Sequence, residues 1–359
     1  MTETQGTALK QTAALEMGGE VTMRATVQHE YGEPSQVLRV ATVPRPRPGD
    51  GEVLLRVRAA GVDRGVWHLT TGLPYPVRLA GYGLRRPKTP VRGREVAGVV
   101  EAVGAGVTSL RVGDEVFGIA EGCFAEYAVG RPDLLRPRPR SLTAVQAAAL
   151  AISAQTALQA VRDHARVTAG QQVLVIGACG GVGSYAVQLA VAAGAEVTGM
   201  CSGSKTDLAR SLGAAHVIDY TREELPTDHR FDAIIDTGGN RPLHVLRDAL
   251  TPAGAAVLVG AETGGRWLGG TDRQLRALLL ARFGGGPRFV PMLTHENGDD
   301  LAELARLADS GQLVPAVEVT FPLEHTVQAL HHVVDGHARG KVVVVPDTTT
   351  TTTAAVGGL

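Results

Sequence analysis

Apolar and polar positions along this chain change rhythm three times. From Arg24 onward, apolar residues come in short runs cut by glycine and proline. That pattern predicts strands over 37–43, 52–60, 95–103 and 115–118, with a proline-rich turn over 44–50. At Thr143 the rhythm becomes helical, and an alanine-rich helix is predicted to run to about 161 with Thr143 as its N-cap. Strands and helices then alternate. Strands are predicted from Val173 and over 196–200, 216–219, 233–236 and 256–260, with helices over 184–193, 205–212 and 241–250. Residues 288–292 add an edge strand and 298–310 a last helix. Such alternation makes a parallel sheet with helices on both faces. Strands return over 317–321 and 341–345 around a helix over 325–334, and these are expected to rejoin the β-rich beginning. The stretch 72–93 fits none of these rhythms. It carries Arg78, Arg85, Arg86, Lys88 and Arg92, and reads either as a solvated loop or as a lid over a cleft.

The sharpest local signal is Val173-Leu174-Val175-Ile176-Gly177-Ala178-Cys179-Gly180-Gly181-Val182-Gly183. A continuous apolar run of β-branched residues predicts a strand buried on both faces. Glycines follow at once, and then Val182, Ala186, Leu189, Ala190 and Ala193 fall at helical spacing. Strand, glycine turn and helix together place helix N-terminal amides where a phosphate can sit. The dinucleotide fingerprint G-x-G-x-x-G reads here as Ala178 to Gly183, with its first glycine replaced by alanine and Gly177 just before it. Gly180 lets the backbone approach a pyrophosphate, and Gly183 lets helix and strand pack closely. A second strand at 196–200 arrives at the distance the fingerprint requires.

Composition narrows the field. With 359 residues, 44% of them hydrophobic, the chain can bury a large core, and two domains are expected. A net charge of −1 leaves no electrostatic footprint for nucleic acid or membrane partners. The three cysteines, Cys123, Cys179 and Cys201, have no metal-like spacing and suit a reducing cytoplasm. Gln146, Gln155 and Gln159 interrupt the alanine-rich segment, so no run is fit to span a bilayer. The first 22 residues are small and polar without a signal core, and the threonine run after Pro346 cannot build a core, so both are expected to be disordered tails. Met23 is the internal candidate for a natural start.

Several motifs in order make the chain resemble the medium-chain dehydrogenase/reductase superfamily, and within it the zinc-free, quinone-oxidoreductase-like branch. They are Ala59-Ala60-Gly61-Val62, the segment from Gly98 to Gly104, Val112-Gly113-Asp114-Glu115-Val116-Phe117-Gly118 and Thr156-Ala157-Leu158-Gln159. Gly177 to Gly183, Leu212-Gly213-Ala214, Val217-Ile218-Asp219-Tyr220 and Gly340-Lys341-Val342-Val343 follow. The resemblance implies an α/β chain in which a Rossmann nucleotide-binding domain is inserted in a GroES-like β-rich catalytic domain. The expected limits are 23–148 and 313–346 for the catalytic domain and 149–312 for the Rossmann domain, with tails over 1–22 and 347–359. The nicotinamide is expected in the cleft between them, and a homodimer is expected from the relatives.

Residue by residue, the resemblance sets further expectations. Zinc-dependent members keep a Cys and a His where this chain has Asp63 and Arg94, and the four-cysteine lobe of the structural zinc is missing. Arginine cannot coordinate a metal, and neither His164 nor His325, His331 and His332 form a ligand set, so no zinc is expected. Asp63, His68 and Arg94 are expected in the cleft, with Arg94 stabilising the developing oxyanion and His68 delivering a proton. The alternative is an Asp63–Arg94 salt bridge standing in for the metal, with His68 packed beside Trp67. Thr156 and Tyr220 resemble the family's contacts to nicotinamide and adenosine. Ala178, Gly180, Gly181, Val182, Val259, Gly260 and Lys341 complete the expected cofactor contacts. Cys201 stands where NAD-preferring sites carry an Asp or Glu, and Ser202 and Lys205 suit a 2′-phosphate, so NADPH is the expected cofactor. Ser202 or Ser204 would otherwise only cap the next helix. The function expected is hydride transfer from NADPH to a quinone or an activated C=C. A zinc-free alcohol dehydrogenase or ketone reductase, and an NADP(H)-binding protein without catalysis, are the alternatives.

Overall fold

The structure, a computed structural model, describes residues 21–346 apart from 227–229, 261–264, 266, 268, 284, 285 and 337. The expected tails therefore lie outside the described residues, except for Val21 and Thr22, and Thr22 already opens strand β1 (Thr22–Val27). Strand β1 pairs antiparallel with β2 (Arg39–Pro44). The strand expected from Val37 starts later because Pro34, with its φ already fixed, begins a one-turn helix over Pro34–Val37.

The β-rich part consists of β3 (Val53–Val62), β4 (Glu95–Val103), β5 (Glu115–Glu121) and β6 (Tyr127–Pro137). Strand β3 pairs with β4 on one edge and, through its first residues, with β6 on the other, so the four strands close on themselves. Closure leaves few strand edges open to stray pairing. Leu55, Val57, Val96, Val100, Phe124 and Leu135 are buried in the resulting core.

The second sheet is built from β7 (Gln172–Ile176), β8 (Glu196–Cys201), β9 (His216–Asp219), β10 (Phe231–Asp236), β11 (Leu250–Leu258) and β12 (Arg288–Pro291). All neighbours are parallel, in the order β12-β11-β10-β7-β8-β9. Val173, Leu174 and Val175 are fully buried, as a strand covered on both faces requires. The strand order reverses between β7 and β10, and in doubly wound sheets ligands bind at that switch point. Finally, β13 (Val317–Pro322) runs parallel to β14 (Lys341–Val345), and Val342, Val343 and Val344 pair antiparallel with Val62, Gly61 and Ala60. The end of the described chain thus rejoins the first sheet.

The helix predicted from Thr143 is broken in two. Thr143 does cap it reciprocally with Gln146, but Ala144–Ala148 stops and a second helix, Ala151–Leu158, begins. Glu95 explains the restart. Its Oε1 accepts hydrogen bonds from Ile152 N at 2.7 Å and Ser153 N at 3.1 Å, amides that a helix start leaves without intrahelical partners. Its Oε2 is salt-bridged to Lys341 Nζ, which also donates to Ser153 Oγ at 2.8 Å. Both charged side chains are buried. Gly61 makes room for them, since a Cβ there would lie 2.3 Å from Glu95 Oε2 and 2.6 Å from Ala148 O.

Gly61→Ala should therefore destabilise the chain by about 1–3 kcal/mol, the usual scale of overpacking. Urea denaturation measures it. An unchanged midpoint would show that β3, β4 and the restarted helix have slack that this geometry denies.

Candidate active site

The chain leaves β7 through Gly177, at φ 78°, where a Cβ would lie 2.5 Å from Thr237 Oγ1. Gly177 N and Ala178 N both donate to Met200 O, at 3.0 and 3.1 Å, which fixes the turn on β8. The helix Gly183–Ala192 starts immediately, and a Cβ on Gly183 would sit 2.0 Å from Gly177 O. Only glycine allows that approach. Gly180, Gly181 and Val182 stay partly exposed at the helix start. A Cβ on Gly180 would meet only Gly177 O, at 3.3 Å. An open, Cβ-poor helix start at the switch point fits the pyrophosphate of a dinucleotide. Ala178 contributes backbone alone, its side chain being buried.

The same edge of the sheet collects most of the other expected contacts. Val259 and Gly260 follow β11, partly exposed, their amides donating to Asp236 O at 3.0 and 3.1 Å. Tyr220 is exposed beyond β9. Ser202 is partly exposed and caps nothing through its side chain, its Oγ lying 3.4 Å from Ser204 Oγ. Three expectations need correction. Cys201 is buried, and its thiol turns inward to Cys179. Lys205 Nζ donates to Gly336 O at 2.8 Å and Ala338 O at 2.9 Å, so its ammonium is tethered to the backbone. Lys341 directs its ammonium into the core, toward Glu95 and Ser153, and only its stem reaches the turn, 3.4 Å from a Cβ built on Gly181. Sequence reasoning also missed Asp219. Its Oδ1 accepts from Thr221 Oγ1 at 2.7 Å and Thr221 N at 3.0 Å, and these bonds hold the carboxyl below the ordinary range.

On the catalytic side, Asp63 caps the helix Arg64–Thr71, its Oδ1 accepting from Val66 N at 3.0 Å. Its Oδ2 is buried without a hydrogen-bond partner. The Asp63–Arg94 bridge does not form. Arg94 instead binds Glu296 through both terminal nitrogens, at 2.7 and 2.8 Å, and Glu121 through Nε at 3.2 Å. Burial disfavours its charge, but the two carboxylates outweigh that and raise its pKa. A guanidinium so fully engaged is a weaker oxyanion donor than the sequence suggested. His68 places Nδ1 2.7 Å from Leu73 O and meets Trp67 edge-on at 5.1 Å. Burial lowers its pKa more than the bond to Leu73 raises it, so the imidazole is neutral at pH 7 and is no proton donor there. Thr156 is buried, its Oγ1 2.8 Å from Ile152 O and 2.8 Å from Thr294 Oγ1.

Sequence reasoning overlooked Tyr82, and it named Lys88 and Arg92 only as cations of a stretch that reads either as a solvated loop or as a lid. With Val66, Leu69, Arg94 and Glu121 these three line a cavity of about 190 Å³. Arg92 is buried, and its Nε has no partner. The cations of 72–93 were the available signal, and solvation describes only some of them. Arg85, Arg86 and Lys88 are exposed, whereas Arg78 lies between the rings of Tyr31 and Tyr75, at 4.5 and 4.9 Å. Tyr75 in turn meets Trp267 edge-on at 5.0 Å. Among the described residues no three His, Cys, Asp or Glu side chains converge as a metal site, and no helix is long and apolar enough to cross a membrane.

Comparison with known proteins agrees with this geometry. Residues 49–140 match the alcohol dehydrogenase GroES-like domain, and residues 212–344 match the family described as zinc-binding dehydrogenase. A chloroplast envelope quinone oxidoreductase homolog of Arabidopsis thaliana is 30% identical over 344 residues, covering 92% of this chain and 100% of the relative. The 2-methylene-furan-3-one reductase of Solanum lycopersicum is 30% identical over 363 residues, covering 94% and 84%. The structure of the quinone oxidoreductase from Coxiella burnetii superposes with a TM-score of 0.76 at 28% identity, covering 91% and 100%. A GroES-like unit joined to a Rossmann-like sheet with this glycine turn defines an NAD(P)-dependent oxidoreductase. The chain belongs to the medium-chain dehydrogenase/reductase superfamily, in its quinone-oxidoreductase-like branch.

The buried His68 has a consequence for pH. Its folded pKa lies below the unfolded value of about 6.5. The folded chain then binds fewer protons there than the unfolded chain, and stability falls as pH drops below about 6.5. Urea midpoints at pH 7.5 and 5.5 should fall with pH in the native chain and fall less in His68→Asn. Titration of His68 by NMR at or above 6.5 would contradict this.

Proposed function

We propose that this chain is a zinc-independent, NADPH-dependent reductase whose acceptor is a quinone or the activated C=C of an enone. The observation that carries the reading is the open glycine turn Gly177–Gly183 at the switch point of the parallel sheet. When bound, NADPH supplies the hydride for the acceptor. Gly181 and Val182 would hold the pyrophosphate with backbone amides, Gly180, whose own amide donates to Gly177 O at 2.9 Å, would leave the approach clear, and Val259 and Gly260 border the same edge. For the 2′-phosphate, Ser202 and Tyr220 stand beyond β8 and β9, and the Lys205 ammonium, with two of its three N–H groups on Gly336 O and Ala338 O, has one left to offer. Arg222, 3.8 Å from Asp219, offsets that carboxylate.

On the acceptor side the protein must stabilise negative charge without a Lewis acid. Arg92, buried with an unpartnered Nε, and Tyr82 line the cavity beside Arg94 and are the donors best placed for that role. Arg94 occupies the position at which metal-binding relatives keep a ligand. Its bidentate bond to Glu296 orders the wall between the two halves rather than the reacting oxygen. Neutral His68 orients the 72–93 stretch through Leu73, and the final proton comes from water. The names of the Arabidopsis and Solanum relatives support quinone and enone acceptors respectively.

Loss of the reduced nicotinamide absorbance with p-benzoquinone or 3-penten-2-one tests the reading. Turnover should persist after dialysis against EDTA and favour NADPH over NADH. Lys205→Ala should narrow that preference by about tenfold, the scale of one charge-assisted hydrogen bond. Absence of turnover on both acceptors, or activity restored only by zinc, would refute it.

A further inference from the structure

Two of the chain's three cysteines lie buried directly beneath the proposed nucleotide groove, and the proposed chemistry uses neither sulfur. Cys179 belongs to the glycine turn, and Cys201 ends β8. The bond from Ala178 N to Met200 O, at 3.1 Å, joins the residues just before each cysteine. That register brings the two thiols within hydrogen-bonding reach of each other. Cys179 Sγ also donates to Lys205 O at 3.2 Å, and Gly340 N donates to Cys179 O at 2.8 Å. Both thiols sit in one apolar cluster with Ala178, Val197, Ala209 and Ala214. Cys123 is elsewhere, buried in the core of the first sheet.

We propose that Cys179 and Cys201 form an oxidisable dithiol, which hydrogen peroxide converts, when the groove is empty, to an internal disulfide that weakens dinucleotide binding. The inference rests on reading this groove as the cofactor site. In the first step the Cys201 thiolate attacks one peroxide oxygen, giving a sulfenic acid and hydroxide. Cys179 then attacks that sulfur. The S–S bond forms, the S–O bond breaks, and the oxygen leaves as water with the Cys179 proton. In sum two thiols give up two electrons and two protons, and one peroxide becomes two waters. Burial raises both thiols, Cys179 to about 12, so little thiolate exists at neutral pH and the rate should climb with pH.

The effect on binding follows from disulfide geometry. The sulfurs must close from hydrogen-bonding distance to about 2.05 Å, a movement of roughly 1–2 Å. Strand β8 is held on both sides by β7 and β9, so the glycine turn must give. Its movement carries Gly180 and Gly181 away from the helix start. It also breaks the bond from Cys179 to Lys205 O, loosening the 202–205 turn.

The test treats the full chain with hydrogen peroxide at pH 8, with and without NADPH, and follows it by non-reducing peptide mapping and NADPH titration. The expected result is a Cys179–Cys201 cross-linked peptide and an NADPH affinity lowered at least about tenfold. Dithiothreitol should restore the affinity, and bound NADPH should slow the cross-link. Cys179→Ser and Cys201→Ser, each compared with its own untreated state, should show no such loss. Oxidation without the cross-linked peptide would overturn the inference, and so would a cross-link that leaves affinity unchanged. An untreated chain that cross-links on oxidation but never binds NADPH would instead contradict the cofactor assignment, and the effect inferred here with it.

Discussion

A buried ion pair, Glu95 with Lys341, sets the geometry on which the rest of this molecule depends. Removing two charges from water costs several kcal/mol for each ion, so such a pair persists only where further hydrogen bonds complete it. Here two helix amides and the Ser153 hydroxyl do so. Burial pushes the Glu95 carboxyl up, and the Lys341 ammonium opposes that rise. The pair joins the start of β4, the start of β14 and the start of the Ala151–Leu158 helix at one point. Gly61 keeps that point clear.

The groove and the acceptor side meet through this junction. The stem of Lys341 lies under Gly181, and Gly340, one residue earlier, holds Cys179 O. Thr156, one turn along the restarted helix, is bonded to Thr294, and Glu296 two residues further on is the partner of Arg94. A change at the ion pair is therefore felt both by the glycine turn and by the wall beside the small cavity. Lys341 acts by position and leaves the phosphate contacts to backbone amides.

The parallel core was legible because Val173 to Ile176 and their neighbours are apolar without interruption, which only a doubly covered strand explains. The helix Arg64–Thr71 was not, since Gly65 and several β-branched residues lower its helix propensity. It exists because Asp63 caps one end and Gly72, at φ 62°, closes the other. Helix Thr271–Phe283 escaped notice for a different reason. Ala277 is buried while Leu275, Leu278 and Leu279 are exposed, so its leucines mark no inward stripe. In the site, the motifs gave positions and withheld partners. Arg94 and Glu296 are 202 residues apart, and no local pattern announces such a pairing. The inward turn of Lys341 was equally invisible, because a lysine after a glycine beside a phosphate site reads more readily as a contact than as a core residue.

The claim that Lys341 organises the groove without touching its ligand can be measured by calorimetric titration of NADPH into three variants. Lys341→Met and Glu95→Leu each leave a buried charge alone, which costs about 3–5 kcal/mol of stability, and each should weaken NADPH binding. The double variant removes both charges, and it should recover much of the stability and of the affinity. A double variant that regains stability yet binds NADPH as poorly as Lys341→Met would contradict the account and return the ammonium to the cofactor.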